Sequence, residues 1–305
     1  YEVRSFQSEE LGNETSLGIT DVLNQNIPGV FTNEVQGSPY QGDVTFRGFR
    51  ASSILGAAQG LSVYIDGIRI NEPFGDVVNW DMIPEFAIDN ISLVPGSNPM
   101  YGLNTLGGAL SLTTKSALSD PGKVARVSLG SFSRKKVDVS LAGKLSAGDG
   151  GDYFLAASHF DESGWRDYSD GNVSNFFGKA SKNTDFGSVG VMAYLGDSDL
   201  LGNGLLPSTN YGVEDNVGEI HENGLYEASR ESVYSHPDQT KNEVGLISLN
   251  FQNYIDDDTL VNGLVYSRYG RQKRLGGDVE AEFESDENEW EFEGEFNNSK
   301  TRQNS

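Results

Sequence analysis

Three histidines, 45 acidic residues and no cysteine bound the chemistry open to this chain. His221 lies in EIHE and His236 in SHPD. Histidine beside carboxylates is a donor set for divalent ions, but neither spacing makes a compact ligand motif, and a solvated acidic loop accounts for both. Carboxylates alternate as E-x-E-x over 280–295. Two carboxylates can run glycoside hydrolysis, yet nothing here encloses one of them in a cleft that raises its pKa. Serine, histidine and aspartate are all present, without a nucleophile-elbow sequence. No enzymatic activity, cofactor or resident metal is therefore expected. Binding chemistry is better represented. Asn71–Asp81 (NEPFGDVVNWD) sets Phe74 and Trp80 among Asn71, Glu72, Asp76 and Asn79. Aromatic rings supply stacking area, while amides and carboxylates supply directional bonds. Arg50–Gly60 (RASSILGAAQG) adds Arg50, Ser52 and Gln59. These nine side chains are the candidate ligand contacts. The competing reading is that Phe74 and Trp80 simply pack against neighbouring structure.

The elements that hold these segments change character near residues 116–122 (SALSDPG). Before that seam, Thr15 or Ser16 is placed to cap a short helix with Leu17, Val22 and Leu23 inward, stopped by Pro28-Gly29. TFRGF, LSVYIDGIRI, AIDNISLV and GALSLTT read as strands, and Asp66-Gly67 between alternating apolar residues is a hairpin signal. This predicts a small α+β domain. PGSNPMYGLNTLGGALSLTTK (95–115) carries Gly96, Gly102, Gly107 and Gly108. Glycine so dense beside a strand predicts positive φ or a close backbone approach.

After the seam the period becomes two. Val137, Val139, Leu141 and Leu145 alternate with Asp138, Ser140, Ala142 and Lys144, and Val189, Val191, Ala193 and Leu195 repeat the pattern. Ala125, Val127 and Leu129 likewise share one face. Further strands are expected near 152–161, 172–182, 242–254 and 259–271, about seven in all. Apart from one tight turn at Ser133-Arg134, long and short connections alternate, as in an outer-membrane barrel. Acid gathers in the stretches read as long loops: nine acids against one base in 197–240, and ten against two in 275–305. No run approaches the length of a spanning helix, a test blind to barrels. The net charge of −23 argues against nucleic acid as a partner. The chain opens at Tyr1 without a signal-like segment and stops at TRQNS with too few strands to close a barrel. It is expected to be the N-terminal part of something longer.

DVLNQNIPGV, VTFRGF, SVYIDGIRIN and IDNISLVPGSNPMYGLNTLGGALSLTTK, in that order and spacing, resemble the plug domain of TonB-dependent outer-membrane receptors. Arg47, Gly48, Asp66, Gly67, Gly96, Gly107 and Gly108 are the matching motif positions. The resemblance implies an α+β plug domain over residues 1–118. An antiparallel transmembrane β-barrel, incomplete over 119–305, follows it, with about seven of about 22 strands. It implies that the glycines of 96–108 lie against the barrel wall, where a plain turn before a strand is the competing reading, and that the inward Arg126, Asp138 and Lys144 either pair with the plug or simply face a watery lumen. Pro95-Gly96-Ser97 departs from the Arg-Gly-Pro common in the family, which puts any ion pair of that arginine in doubt. Ligand would meet the segments 50–60 and 71–81. The implied function is active transport of a scarce or bulky ligand, a ferric siderophore first among them, across the outer membrane of a Gram-negative bacterium. The implied partners are a TonB-type energy-transducing protein, outer-membrane lipid and lipopolysaccharide. The alternatives are a plugged-barrel surface receptor or adhesin without energised transport, and a soluble secreted β-protein.

Overall fold

A computed structural model of the chain describes residues 4–7, 18–34, 37–145, 150–202, 219–220, 226–227, 233, 236–256, 258–284 and 289–304. The N-terminal body comprises β1 (Arg4–Gln7), α1 (Ile19–Asn26), β2 (Val30–Asn33), β3 (Asp43–Phe46), β4 (Phe49–Ala51), β5 (Leu61–Ile65), β6 (Ile68–Arg69), β7 (Ile88–Pro95) and β8 (Gly108–Thr114). One sheet runs β1-β7-β8-β5-β6, with β5 and β8 parallel; β2-β3-β4 form a second. Leu23, Val44, Val63, Val78, Ile91 and Leu112, all fully buried, lie in a core closed by the body's own elements.

Local sequence explains most of these elements. The helix buries Val22 and Leu23, as its spacing requires, and ends before Pro28. Its N-cap is Gly18, without a side-chain cap; Thr15, Ser16 and Leu17 lie outside the described residues. Asp66-Gly67 makes the anticipated two-residue hairpin, both residues at positive φ (46° and 84°). TFRGF is not one strand. Arg47 and Gly48 sit at φ 51° and 86° and turn β3 back as β4, because two consecutive left-handed residues reverse the chain.

The second unit is a single antiparallel sheet of β9 (Lys123–Leu129), β10 (Lys135–Lys144), β11 (Asp152–Glu162), β12 (Gly171–Thr184), β13 (Gly187–Leu201), β16 (Gln239–Asp256), β17 (Thr259–Glu284) and β18 (Glu289–Asn304). The hairpin β14 (Glu219–Ile220) and β15 (Tyr226–Glu227) lies within the long connection after β13. β18 is an eighth strand, and β17 runs well past 271. Both occupy the stretch expected to be an acidic loop. The E-x-E-x alternation there was itself a period-two strand signal, masked by its charge. Among the described residues β9 and β18 are the edges, so the sheet is open.

The body lies on one face of this wall. Ile68, Met82 and Ala87 bury against Phe154, Phe177, Met192, Tyr194, Val244 and Leu246 of the strands, and Tyr40 packs at a tilt against Phe160 with ring centroids 4.7 Å apart. The opposite face exposes Val127, Val139, Leu155, Phe176, Val191, Leu195, Ile247 and Val265. Apolar side chains facing away from a polar-lined interior are the inverse of a soluble sheet and the pattern of a lipid-facing barrel wall.

Candidate functional site

Beside these apolar contacts the seam between body and wall carries polar pairs, and its charges are sorted by side. Carboxylates come from the body and cations from the wall. Glu72 receives both terminal nitrogens of Arg268 across 196 residues of sequence, with both side chains buried. Lys136 reaches Glu85 at 2.8 Å, again buried on both sides. Lys179 reaches Asp66 at 2.9 Å and the Thr114 hydroxyl at 2.9 Å. Asp66 thus serves twice: it forms the hairpin turn, accepts the Thr114 backbone N–H at 2.9 Å, and anchors the wall. Removing one partner of such a buried pair costs about 3–5 kcal/mol, because the other charge stays uncompensated.

Between these pairs runs a relay of amides, a hydroxyl and one carboxylate. Asp81, 1% exposed, accepts from the Ser198 hydroxyl and from the Asn242 amide at 2.7 Å. Burial pushes its carboxyl above the usual range, and the bonds from Asn242 and Ser198 oppose that rise. Gln272 donates to both Asn242 (2.9 Å) and Asn79 (3.0 Å), and Asn79 donates to Glu72 (3.1 Å). Arg274 donates to the Ser53 carbonyl, and Gln303 accepts the Phe74 backbone N–H at 2.9 Å. Segment 71–82 is therefore held by four consecutive strands of the wall, β13, β16, β17 and β18.

The wall residues in these bonds differ from those anticipated. Asp138 points inward but accepts from Ser158 and stands 3.9 Å from Lys136, the residue that reaches the body. Arg126 lies opposite Asp138 in the register, and Lys144 is exposed near the end of β10. Lys136 was legible in principle, since it shares the inward parity of Asp138. Nothing local distinguished Lys179, Arg268 or Arg274 from any other cation on a strand.

The glycine-rich segment also finds other neighbours than expected. A Cβ on Gly107 would lie 2.4 Å from Phe49 Cβ, and one on Gly108 (φ 148°) would lie 2.5 Å from the Val94 carbonyl oxygen. The close approaches are to the body's own strands and not to the wall. Gly96 (φ 87°) donates its N–H to Gly107, which donates to Gly60, both at 2.9 Å. Wall contact belongs to Gly67, whose Cβ position lies 3.6 Å from Leu264, and to Gly270 of β17, 3.5 Å from Glu72. The segment between Gly96 and Gly107 instead forms a third loop beside 52–60 and 71–79, with Met100 90% and Leu103 85% exposed.

These three loops surround an open cavity of about 640 Å³, lined by Gln59, Arg69, Asp76, Leu103, Asn104 and Tyr266 among others. Arg69 and Asn104 both bond Asp76, at 2.9 and 2.6 Å. Phe74 and Leu55 are exposed beside them. Asn71 and Glu72 also line the cavity, but they and the other candidate contacts are held by bonds within the protein. Trp80 is 2% exposed and donates to the Ala51 carbonyl at 2.9 Å. Asn71 is buried, bonding Val63, Leu61 and Asp76 through its amide. Ser52 is buried and pairs with Gln59; Arg50 is half-exposed, 3.5 Å from Asp43. Glu72 and Asn79 are committed to the wall. His236 stacks on Tyr168 at 4.2 Å, and His221 lies outside the described residues. Among the described residues no group of three or more histidines and acids is arranged to hold a metal ion.

An α+β body lodged on the polar inner face of an open, outwardly apolar antiparallel sheet defines a plugged-barrel protein. Residues 1–109 match the TonB-dependent Receptor Plug Domain. The chain is 28% identical over 135 residues to the ferric aerobactin receptor of Klebsiella pneumoniae, covering 43% of this chain and 16% of that protein. It is 29% identical over 113 residues to the vitamin B12 transporter of Vibrio vulnificus, covering 37% and 17%. Its fold matches the ferripyoverdine receptor of the outer membrane of Pseudomonas aeruginosa with a TM-score of 0.74 at 13% identity, over 99% of this chain and 38% of that one. The ferric-catecholate import receptor of E. coli matches at 0.71 and 16% identity, over 99% and 45%. The N-terminal third of the chain thus matches the plug domain of TonB-dependent receptors, and the whole described chain shares the fold of plugged-barrel receptors. The chain spans less than a fifth of the length of the curated relatives it matches.

Proposed function

We propose that this chain supplies the plug (1–118) and the opening barrel strands (119–305) of an outer-membrane transporter in a Gram-negative bacterium, and that its ligand is a ferric siderophore. Ligand would bind where the three plug loops converge, and a TonB-type partner would supply the energy to rearrange the plug. The observation that carries this reading is the exposure of Leu55, Phe74, Met100 and Leu103 on the three plug loops that surround the cavity, which Leu103 lines directly. Exposed apolar side chains on a solvent-facing loop cost solubility unless a ligand or partner covers them. Arg69, Asp76, Gln59 and Asn104 at the cavity offer donors and acceptors to an oxygen-rich chelate. Relatives named for ferric aerobactin and ferripyoverdine support the siderophore class, and the vitamin B12 transporter marks the competing one.

No bond is made or broken in this function. Binding energy at the loops must be converted into a shift of 71–82 relative to the strands, which the buried pairs and the amide relay resist. Uptake of labelled ferric siderophores by iron-limited cells, with and without the full-length gene, tests the reading. Equal uptake across hydroxamate, catecholate and mixed chelates in both strains would sink the ligand class.

A further inference from the structure

The cavity among the three plug loops has its charges already paired. Arg69 is the one cation among the described residues that line it, and Glu72 and Asp76 are the two acids. Asp76 Oδ1 accepts from Arg69 at 2.9 Å, and its Oδ2 accepts from the Asn104 amide at 2.6 Å. The turn that presents this carboxylate is fixed. Gly75 and Asp76 stand at φ 76° and 56°, and the Asp76 carbonyl accepts from the Asn71 amide at 3.2 Å. Glu72 is neutralised from behind by the buried Arg268. The described lining therefore holds no spare cation for an anionic ligand. What it offers is uncharged or apolar: the partly exposed Tyr266 and Leu103, with Leu55, Phe74 and Met100 exposed on the surrounding loops. An anion placed there stays uncompensated against apolar side chains, which is costly.

The wall beyond the cavity adds a field that opposes the same ligands. Arg274 on β17 holds the Ser53 carbonyl of the first loop, and the strand continues past it to Glu284 before the chain returns as β18. The register sets acid opposite acid at four alternate positions, from Asp278 opposite Glu295 to Glu284 opposite Glu289. By the pleat, these positions fall on the face that Arg268 and Arg274 occupy toward the plug. Like charges directly opposite each other destabilise a ladder, so stability alone does not select this arrangement. Over 275–305 the chain has ten acids and two bases, within a net charge of −23. A field of one sign around a cleft depletes ligands of that sign.

We infer that the cavity selects a chelate without net negative charge, and that Asp76 sets this selectivity by occupying Arg69. The inference rests on the siderophore reading above and narrows it. Three catecholates around iron(III) make a multiply charged anion, whereas three hydroxamates neutralise the metal. The second kind suits a lining with no spare cation and an apolar rim. The first needs the arginine that Asp76 already holds.

Equilibrium dialysis of the full-length protein in detergent tests this with three iron-loaded probes. They are a neutral trihydroxamate, the same trihydroxamate carrying one appended carboxylate, and a tricatecholate. At low salt the appended carboxylate is expected to weaken binding about fivefold, and the tricatecholate to bind about a hundredfold more weakly than the neutral probe. Raising salt from about 0.05 to about 0.5 M should narrow both gaps, because screening acts on charge and not on shape. Asp76→Asn keeps a residue that tolerates the left-handed turn, and an oxygen for Arg69, while removing the charge. It should bring the carboxylate-bearing probe about fivefold closer to the neutral one, a ratio that a purely structural loss does not move. Equal or tighter binding of the tricatecholate, a gap insensitive to salt, or an unchanged ratio in Asp76→Asn overturns the proposal. The two levels separate. No binding by any of the three probes defeats the siderophore reading and this inference together, whereas preference for the tricatecholate leaves the siderophore reading standing and defeats this inference alone.

Discussion

The plug and the wall solve burial in opposite ways. The plug closes a core of its own, from Ile19 to Leu112, and its turns fit that core: Gly107 exists to let Phe49 approach. The wall has no comparable core. Its inner side chains bury only because the plug is present, and its outer ones remain exposed. The plug is therefore specified locally, whereas the wall depends on what stands on each side of it. The seam is where this difference becomes functional, since buried ion pairs and amide relays hold firmly while intact and separate as polar surfaces that water can receive.

Four measurements sharpen or break this contrast. The largest effect is expected at the seam. Glu72→Ala strands a buried Arg268 and should destabilise plug seating by about 3–5 kcal/mol. Adding Arg268→Met should restore most of that loss, read as protection of the plug from protease across a urea series. Additive losses would mean that the pair does not couple the units. Next, Val191→Arg on the outward face should cost about 2–4 kcal/mol of barrel stability in lipid. Little effect in bilayers would count against a lipid-facing wall.

Gly107→Ala should cost about 1–3 kcal/mol by overpacking against Phe49. Phe49→Gly in the same molecule, which removes the Cβ as well as the ring, should relieve it without altering the seam, and failure of that rescue would return the glycine segment to the wall. The smallest effect concerns Asp81. Its folded-state carboxyl is raised by burial, so the folded protein binds its proton more readily than the unfolded chain does. That strain is present above the raised pKa and relieved as pH falls through it. Asp81→Asn keeps an acceptor for Ser198 and Asn242, and should remove this pH dependence while leaving neutral-pH stability equal or higher. An unchanged pH profile in the variant would sink the assignment.

Legibility in the sequence followed the range of the physics. Alternation of Val137, Val139 and Leu141 with Asp138 and Ser140 announced β10 and its outward face, because a strand's period is set by its own backbone. Asp66-Gly67 announced its hairpin for the same reason. β18 was missed because charge was taken as the mark of a loop although the period was already two. The candidate site divided similarly. Segments 50–60 and 71–81 do adjoin the cavity, but Trp80 and Asn71 are consumed by the plug, since the identity of a side chain does not say which way it turns. The third loop, with Met100 and Leu103, was hidden by a glycine count that explained how close the backbone came without saying to what.

Residue order alone determined that this chain has a glycine-punctuated α+β head and a period-two tail with one apolar face, because propensity, turn chemistry and alternation act over a few residues. The tertiary structure decided which carboxylate meets which cation. Glu72 finds Arg268 across 196 positions only because the plug stands at one depth against one register of strands. A shift of a single residue would turn Arg268 to the outer face. Partnership at that distance is a property of packing, and no short stretch of sequence contains it.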